Sequence, residues 1–221
     1  IQHVYVYDDG SGPPAAPAAP TRLTAARVAA NRARVPWSAA DGPRAVIDHV
    51  TSTALKVLDD RALDTETKRL RVQDVVYAYV DFDTMTRLVL ARNLPRFSDA
   101  QRAAFTKEFR EHLSLTYGRS IENYKNERVE ITGDHEEPRG DWTVKTKILR
   151  GGGADEVLVE YRLRQDAGTW KIIDIVVERV SLVANFRSQF QDIVSQGGPE
   201  KLLALLREKN AKREAFDDKK S

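Results

Sequence analysis

The chain has 221 residues, of which 31% are charged and 41% hydrophobic, and its 35 basic and 33 acidic residues leave a formal net charge of +2. The two signs are interspersed, and this argues against nucleic-acid binding, which favours a concentrated basic stripe. No cysteine is present, which excludes disulfides, a thiolate nucleophile and cysteine-type zinc sites. No apolar run reaches about 18 residues, so no membrane span is expected.

The beginning of the chain differs in composition from the rest. A short strand-like segment is followed by GSGPPAAPAAP, which is typical of a flexible linker. The next segment is basic and weakly helical, and its arginines interrupt the apolar run that a secretory signal peptide requires. We therefore expect a flexible arm over residues 1–42, a single domain over 43–208 and a charged tail over 209–221.

Apolar residues recur at helical spacing in four segments between Pro43 and Tyr124. Pro43 stands at a favoured first helical position, and an aspartate at 81 or 83 can cap the short third helix. Ser98, with Gln101 three residues later, has the spacing of a capping box that opens the fourth and longest helix. The predicted helices span 43–59, 64–79, a short segment that carries Met85, Leu88 and Val89, and 99–124.

The period of the apolar residues then falls to two, which indicates strands. The four candidates are RVEITG, WTVKTKIL, VLVEYRLR and TWKIIDIVV. Their short connections predict an antiparallel meander. In the third strand, apolar residues from Val157 to Leu163 alternate with Glu160, Arg162 and Arg164. One face of the sheet is therefore expected to be exposed to solvent. The fourth helix, with its aromatic stripe, is expected to cover the other, apolar face.

The segment after Trp170 changes from strand to helix at Ser181, whose hydroxyl is placed to cap the helix. Gly197 and Gly198 end this helix, and Pro199 opens another. Helices followed by a strand meander and further helices are typical of an α+β fold.

Few residues suggest catalysis. The sequence has no glycine-rich phosphate loop and no nucleophile elbow, and its four histidines lack the spacing of metal ligands. Asp174 in the last strand is the candidate for a general base, since a carboxylate in a half-buried strand is costly unless it is paired or functional. Pairing of Asp174 and Glu178 with arginines, or with the start of the following helix, is the simpler interpretation.

Three segments carry a family resemblance: DFDTMTRLVLARN, FTKEFREHLSLTYGRSIENY and VEYRLRQDAGTWKIIDIVVERVSLVANFRSQF. The last is the most specific, with its tryptophan, lysine and aspartate and its residues from Val180 to Gln189. Together they resemble the MlaC family, periplasmic phospholipid-binding proteins of the maintenance-of-lipid-asymmetry system that are also called toluene-tolerance auxiliary proteins. Ala91 and Leu94 depart from the family pattern, which commonly has glycine and tryptophan there.

The resemblance implies a helical layer on a strongly curved antiparallel sheet of about four strands, the cone fold of nuclear transport factors, with an internal apolar pocket. It also implies a carrier that is not an enzyme, needs no cofactor, and ferries a phospholipid across the periplasm. Its implied partners are an outer-membrane lipoprotein complex and an inner-membrane ABC transporter complex with an MCE-domain ring.

If acyl chains lie between helices and sheet, apolar residues that face each other across this space are expected to contact them. These candidates are Leu88, Phe109, Leu113, Tyr117, Ile121, Val159, Tyr161, Leu163, Ile173, Ile175, Val177 and Phe186. A closed core is the alternative for each of them. A shift of the last strand by one residue would turn Ile172, Asp174 and Val176 inward instead.

Two other functions stay open from the sequence. An isomerase or hydrolase of the same cone architecture would use Asp174 in the pocket, whereas an adaptor that acts only through protein contacts would have a filled core. The carrier has a clear physical reason to exist, because exposing two acyl chains of about thirty methylenes to water costs on the order of 24 kcal/mol.

Overall fold

A computed structural model of the chain describes residues 42–118, 124–150, 156–214 and 216. In chain order, the elements are α1 (Pro43–Asp59), α2 (Thr65–Tyr79), α3 (Phe82–Leu90), α4 (Asp99–Gly118), β1 (Arg128–Glu136), β2 (Trp142–Leu149), β3 (Glu156–Asp166), β4 (Thr169–Val177), β5 (Val180–Ser181) and α5 (Leu182–Lys212). A 3₁₀ turn, Ala91–Arg96, joins α3 to α4. The arm predicted over residues 1–42 lies outside the described residues except for Gly42.

Helix caps follow the sequence closely. Asp81, and not Asp83, caps α3, because its carboxylate accepts from the Thr84 backbone N–H at 2.8 Å. The capping box at α4 is formed in both directions: the backbone N–H of Gln101 donates to the Ser98 hydroxyl at 3.2 Å, and that of Ser98 donates to the Gln101 side chain at 2.9 Å. The Ser181 hydroxyl caps α5 at 3.0 Å. The predicted starts of these helices are confirmed.

The strands form one antiparallel sheet in the order β1-β2-β3-β4-β5. The four predicted strands are present, and the two-residue β5 adds a fifth at the edge. The predicted α+β class, with helices packed on a curved antiparallel sheet, is confirmed. Bulges occur in β1 between Ile131 and Gly133 and in β4 opposite the step from Arg162 to Leu163. Such bulges bend a strand and increase its local twist.

The bulge in β4 decides which side chains of that strand face inward. The register pairs Ile172 with Leu163, Asp174 with Arg162, Ile175 with Tyr161, and Val177 with Val159. Ile173 is the extra residue, so the alternation changes phase at that point. The alternative alignment, with Ile172 inward, is therefore correct before the bulge. The first alignment, with Ile175 and Val177 inward, is correct after it.

The helix that covers the sheet is not the predicted one. Among the described residues, α1 packs on β1 and β2, α2 and α3 contact β4, and α5 contacts β4 and β5. α4 packs mainly against α5, because its aromatic stripe meets the stripe of Phe186 and Phe190 on that helix. α4 is described as far as Gly118, and Tyr124, the predicted last residue of the helix, is not helical; its hydroxyl lies 2.7 Å from Asp59.

A cluster of buried apolar side chains lies among α3, the 3₁₀ turn, α4 and α5. We call it the helical core. Its centre is formed by the rings of Phe105, Phe109, Phe186 and Phe190, each at most 4% exposed. Ring centroids of Phe109 and Phe186 are 5.1 Å apart, in an edge-to-face arrangement that aromatic pairs favour. Within the described ranges, no helix is both long enough and apolar enough to cross a membrane.

The C-terminal residues extend the helical core beyond the predicted domain boundary at residue 208. Gly198 breaks α5 with a φ of 71°, and Pro199 follows it, as the sequence predicts. The helix then continues to Lys212. Farther on, the ring of Phe216 packs 4.8 Å from the imidazole of His112 and 5.2 Å from the ring of Phe190. This part of the predicted charged tail therefore belongs to the folded domain.

Ala91 adopts a strained backbone conformation at the end of α3. Its φ is 44° and its ψ is −120°, which favours glycine, the residue that the MlaC-like pattern commonly has here. We expect Ala91→Gly to raise the free energy of unfolding by about 1 kcal/mol, since removing the Cβ relieves the strain. Urea denaturation checks this. Ala104→Gly, inside α4, should instead lower the free energy of unfolding by about 1 kcal/mol; a loss of stability in both variants would contradict the assignment of strain.

His112 is a buried titratable group in the helical core. Its Nδ1 lies 3.1 Å from the Oδ1 of Asn210. Burial lowers its pKa below the ordinary value of 6.5, the nearby Lys209 lowers it further, and the hydrogen bond to Asn210 opposes the shift. The imidazole is therefore held in its neutral form at neutral pH.

We expect the free energy of unfolding to fall as the pH drops below about 6.5, because the unfolded chain gains a proton that the folded His112 resists. The slope should reach at most about 1.4 kcal/mol per pH unit and should end below the folded-state pKa. Urea denaturation across this range checks it. His112→Gln should remove the slope, and His135→Gln, at an exposed histidine, should keep it. An unchanged slope in His112→Gln would contradict this account.

Candidate functional site

The apolar face of the sheet is closed at one end and half-open at the other. Near the start of β2 and the end of β3, Val144 and Leu163 are fully buried, as is Ile172 on β4. At the opposite end, where β1 and β3 begin and β2 and β4 end, the inward side chains are only half-buried. They are Val129, Ile131, Ile148, Val157 and Val177, and we call them the half-buried apolar end.

α1 does not seal this end against β1. A cleft of about 420 Å³ lies between them. The helix lines it with Arg44, Ala45, Asp48 and Thr51, and the strand lines it with Val129 and Ile131. At the β1 side the Arg44 guanidinium lies 3.2 Å from the carboxylate of Asp134. Val129 and Ile131 therefore border an open cleft at this end, although α1 packs on β1 and β2 elsewhere.

The other face of the sheet is polar, as the alternation in β3 predicts. The Lys147 ammonium lies 3.3 Å from Glu130 and 3.9 Å from Glu156, and Lys145 lies 3.9 Å from Glu160. All of these side chains are at least 30% exposed, so each pair adds little stability. The two faces thus differ sharply in what they can bind.

The predicted lipid-contacting residues fall into separate groups. On the apolar face of the sheet lie Val159, Tyr161, Leu163, Ile175 and Val177, and Ile173 occupies the bulge. In the helical core lie Phe109, Leu113 and Phe186, and Leu88 packs against it. Tyr117 is 40% exposed at the end of α4, and Ile121 lies outside the described residues. The structure brings the sheet residues together and places the helical ones in a different cluster.

Tyr161 lies in the middle of the apolar face, opposite Val144 and Ile175. Burial raises the pKa of its phenol to about 12, and a hydrogen bond with Thr146 opposes the shift. The Thr146 hydroxyl itself donates to the backbone oxygen of Val159 at 2.9 Å. The phenol oxygen is therefore withdrawn from water although Tyr161 as a whole is half-buried, and the Thr146 hydroxyl is satisfied within the sheet.

Sequence reasoning missed several residues of the half-buried apolar end. Val129, Ile131, Ile148 and Val157 were part of the strand predictions but were not among the predicted lipid contacts. The signal that identifies them is the two-residue alternation, which places each on the same face as Val159 once the strands are paired. The α1 residues that line the cleft could not be identified from a sequence pattern, because they include both polar and apolar side chains.

Asp174 is explained by structural contacts. It is 2% exposed, and its Oδ2 accepts from the Ser181 hydroxyl at 2.6 Å while its Oδ1 accepts from the Val183 backbone N–H at 3.1 Å. The Arg162 guanidinium lies 3.7 Å away. The carboxylate therefore ties β4 to the start of α5, and both of its oxygens are engaged.

Asp174→Ala should lower the free energy of unfolding by about 2–4 kcal/mol, because it leaves a buried N–H and a hydroxyl without their acceptor. Chemical denaturation followed by circular dichroism measures the loss. Arg162→Ala removes only the longer, half-exposed partner and should cost less than about 1 kcal/mol. Equal and small losses in the two variants would show that Asp174 does not hold this junction.

The family model described as MlaC protein matches residues 47–208, which include every strand of the sheet. The chain belongs to the MlaC family. The family match starts within α1 and ends near the C-terminal end of α5, so it includes the half-buried apolar end and the helical core except for Phe216.

Two known relatives are similar to this chain over part of their length. The chain is 23% identical over 143 residues to the intermembrane phospholipid transport system binding protein MlaC of Haemophilus influenzae, covering 63% of this chain and 67% of the relative. It is 24% identical over 120 residues to the toluene tolerance protein ttg2D of Pseudomonas putida, covering 54% of this chain and 55% of the relative. The chain thus matches little more than half of the second relative.

A solved structure shares the MlaC-family fold of this chain. It is that of a phospholipid-binding protein from Ralstonia solanacearum, determined in complex with a phospholipid. The two superpose with a TM-score of 0.69 at 22% sequence identity, over 77% of this chain and 97% of the other. At this identity the likeness establishes the shared fold.

Proposed function

We propose that this MlaC-family protein binds a phospholipid and carries it through the periplasm between membranes. The acyl chains would lie against the half-buried apolar end of the sheet. The observation that carries the proposal is this contiguous aliphatic surface, which α1 leaves partly uncovered in a member of the MlaC family. The names of the relatives, which describe phospholipid transport and toluene tolerance, support the same function.

The chemistry of this surface suits a carrier that must also release its cargo. Each methylene buried on binding is worth about 0.8 kcal/mol, whether it enters a protein or a bilayer. Transfer therefore depends on a small difference between two large terms. An aliphatic surface such as Val129, Ile148, Val157 and Val177 contacts acyl chains without directional bonds, so it does not trap one particular lipid.

Catalysis is not part of the proposal. The isomerase or hydrolase considered from the sequence depends on Asp174 as a free general base, and its carboxylate oxygens instead accept from Ser181 and Val183. The protein would act by binding and release alone, with phospholipid as its ligand and no cofactor.

The test is the lipid content of the purified protein. Lipid extraction and mass spectrometry of freshly purified full-length chain should show close to one equivalent of phospholipid or more. Delipidated protein should take up phospholipid from vesicles that contain a fluorescent analogue. Repeated absence of lipid, together with no uptake from vesicles, would overturn the proposal.

The proposed partners are an inner-membrane ABC transporter complex with an MCE-domain ring and an outer-membrane lipoprotein complex. Each can be reconstituted separately in nanodiscs and incubated with lipid-loaded or delipidated protein. Lipid transfer that requires the reconstituted complex, and does not occur with empty nanodiscs, would identify the partner. Transfer at equal rates to empty nanodiscs would count against a specific partner while leaving lipid binding itself intact.

A further inference from the structure

An unassigned cleft lies on the helical side of the domain, between α3, the 3₁₀ turn and α4. Its volume is about 420 Å³. Its polar lining comes from two adjacent helices, with one apolar side chain from the turn. The residues that matter are Asp83, Thr86 and Arg87 of α3, Leu94 of the turn, and Arg102 and Thr106 of α4. None of them belongs to the half-buried apolar end of the sheet.

Arg102 has a hydrogen-bonding group without a partner. Its Nε is the one buried side-chain nitrogen or oxygen left unpaired in the part of the chain that the structure describes. Its Nη1 lies 3.1 Å from Asp99, but the two side chains are 39% and 98% exposed, so the ion pair is weak. A buried donor without an acceptor is unusual in folded proteins and indicates a missing partner such as an ion or a water.

Arg87 faces the same cleft from α3. Its Nη2 donates to the Thr84 hydroxyl at 2.8 Å, and it forms no ion pair with a described residue. Most of its donors are therefore available to a ligand. Two arginines from adjacent helices therefore line the same cleft, and one of them has a buried free donor.

The threonines of the cleft hold the two helices in place. The hydroxyls of Thr86 and Thr106 are 2.9 Å apart, and the Thr106 hydroxyl donates to the backbone oxygen of Arg102 at 3.0 Å. Because these hydroxyls satisfy each other and the backbone, the guanidinium groups are the donors left for a ligand. The bonds also fix the spacing between α3 and α4, which pre-organises the cleft.

We propose that this cleft, the Arg87–Arg102 cleft, binds a phosphate group. Planar guanidinium donors match the oxygens of phosphate and bind them with short, charge-assisted hydrogen bonds. Asp83 also lines the cleft, and its carboxylate lowers the net positive charge that a phosphate meets there. The group can come from free phosphate or from a lipid headgroup at a membrane surface, and both present the same chemistry.

The first arm of the test uses inorganic phosphate at constant ionic strength. The Nε–H resonance of Arg102, assigned by its loss in Arg102→Lys, should shift saturably in a nitrogen–proton correlation spectrum. Arg87→Gln and Arg102→Gln should each weaken binding by about tenfold or more, since each removes a charge-assisted contact. Arg96→Gln removes an equal charge from an exposed side chain of the 3₁₀ turn between α3 and α4, and it should change the affinity less than about twofold.

The second arm identifies the source of the phosphate by flotation with vesicles of phosphatidylcholine, with or without phosphatidic acid. Association that needs phosphatidic acid and both arginines, without a response to inorganic phosphate, would assign the site to lipid headgroups. No resonance shift and no such association would overturn the proposal. So would equal losses in Arg96→Gln and Arg102→Gln, since they would indicate non-specific charge attraction. Far-UV circular dichroism shows that each variant is folded.

Discussion

Val157→Glu is expected to reduce retained phospholipid at least about tenfold while the chain stays folded. Val157 lies at the start of β3, half-buried on the apolar face and opposite Ile148. A carboxylate there would stand among acyl chains, where its loss of hydration is not repaid. The measurement is lipid per protein after identical purification, by extraction and mass spectrometry.

The chain offers a matched control one residue away. Leu158 alternates with Val157, points to the polar face and is 40% exposed. Leu158→Glu introduces the same charge into the same strand and should leave lipid content unchanged. Equal lipid content in the two variants, with both folded, would mean that the apolar face of the sheet does not hold the acyl chains. Phosphate binding at the Arg87–Arg102 cleft should persist in both, so the two proposals fail separately.

Phe109→Ala is expected to lower the free energy of unfolding by about 3–5 kcal/mol. The ring is 1% exposed and contacts the rings of Phe105, Phe186 and Phe190. Removing it leaves a cavity that rigid neighbours on two helices cannot refill. Urea denaturation of delipidated protein measures the loss, which should be the same in the presence of lipid.

The lipid comparison separates two roles for Phe109. As a lipid contact it would matter mainly for lipid retention, whereas as part of the helical core it matters with or without cargo. Tyr117→Ala, at a side chain that is 40% exposed on the same helix, should cost less than about 1 kcal/mol. If Phe109→Ala lowered the free energy of unfolding only in lipid-loaded protein, Phe109 would instead be assigned to the lipid site.

Local structure was largely predictable from sequence, because its signals are local. The caps at Asp81, Ser98 and Ser181 depend on one side chain and the amides of the next turn. The antiparallel order of the strands follows from the short loops between them. The polar and apolar faces of β3 follow from alternation alone.

Partners of buried faces were harder to predict. An apolar stripe shows that a face of α4 is buried, but it does not say against which element, and a second aromatic stripe on α5 was the better match. The bulge at Ile173 was equally hidden, because the segment around it is almost continuously apolar and has no alternation to interrupt. The partner of α4 determines the position of Phe109, which packs against Phe186 on α5. The bulge determines which residues of β4 face inward.

The separation of the helical core from the sheet has a consequence for how such a protein can diverge. Most of the large buried rings lie on α4 and α5, whereas the sheet end next to α1 is lined by small aliphatic side chains. If acyl chains bind at that end, as proposed, substitutions there would change the size and shape of the ligand that fits without leaving a cavity among the phenylalanines. In that case the ligand preference of such a protein could change during evolution while its folding stability stayed nearly the same.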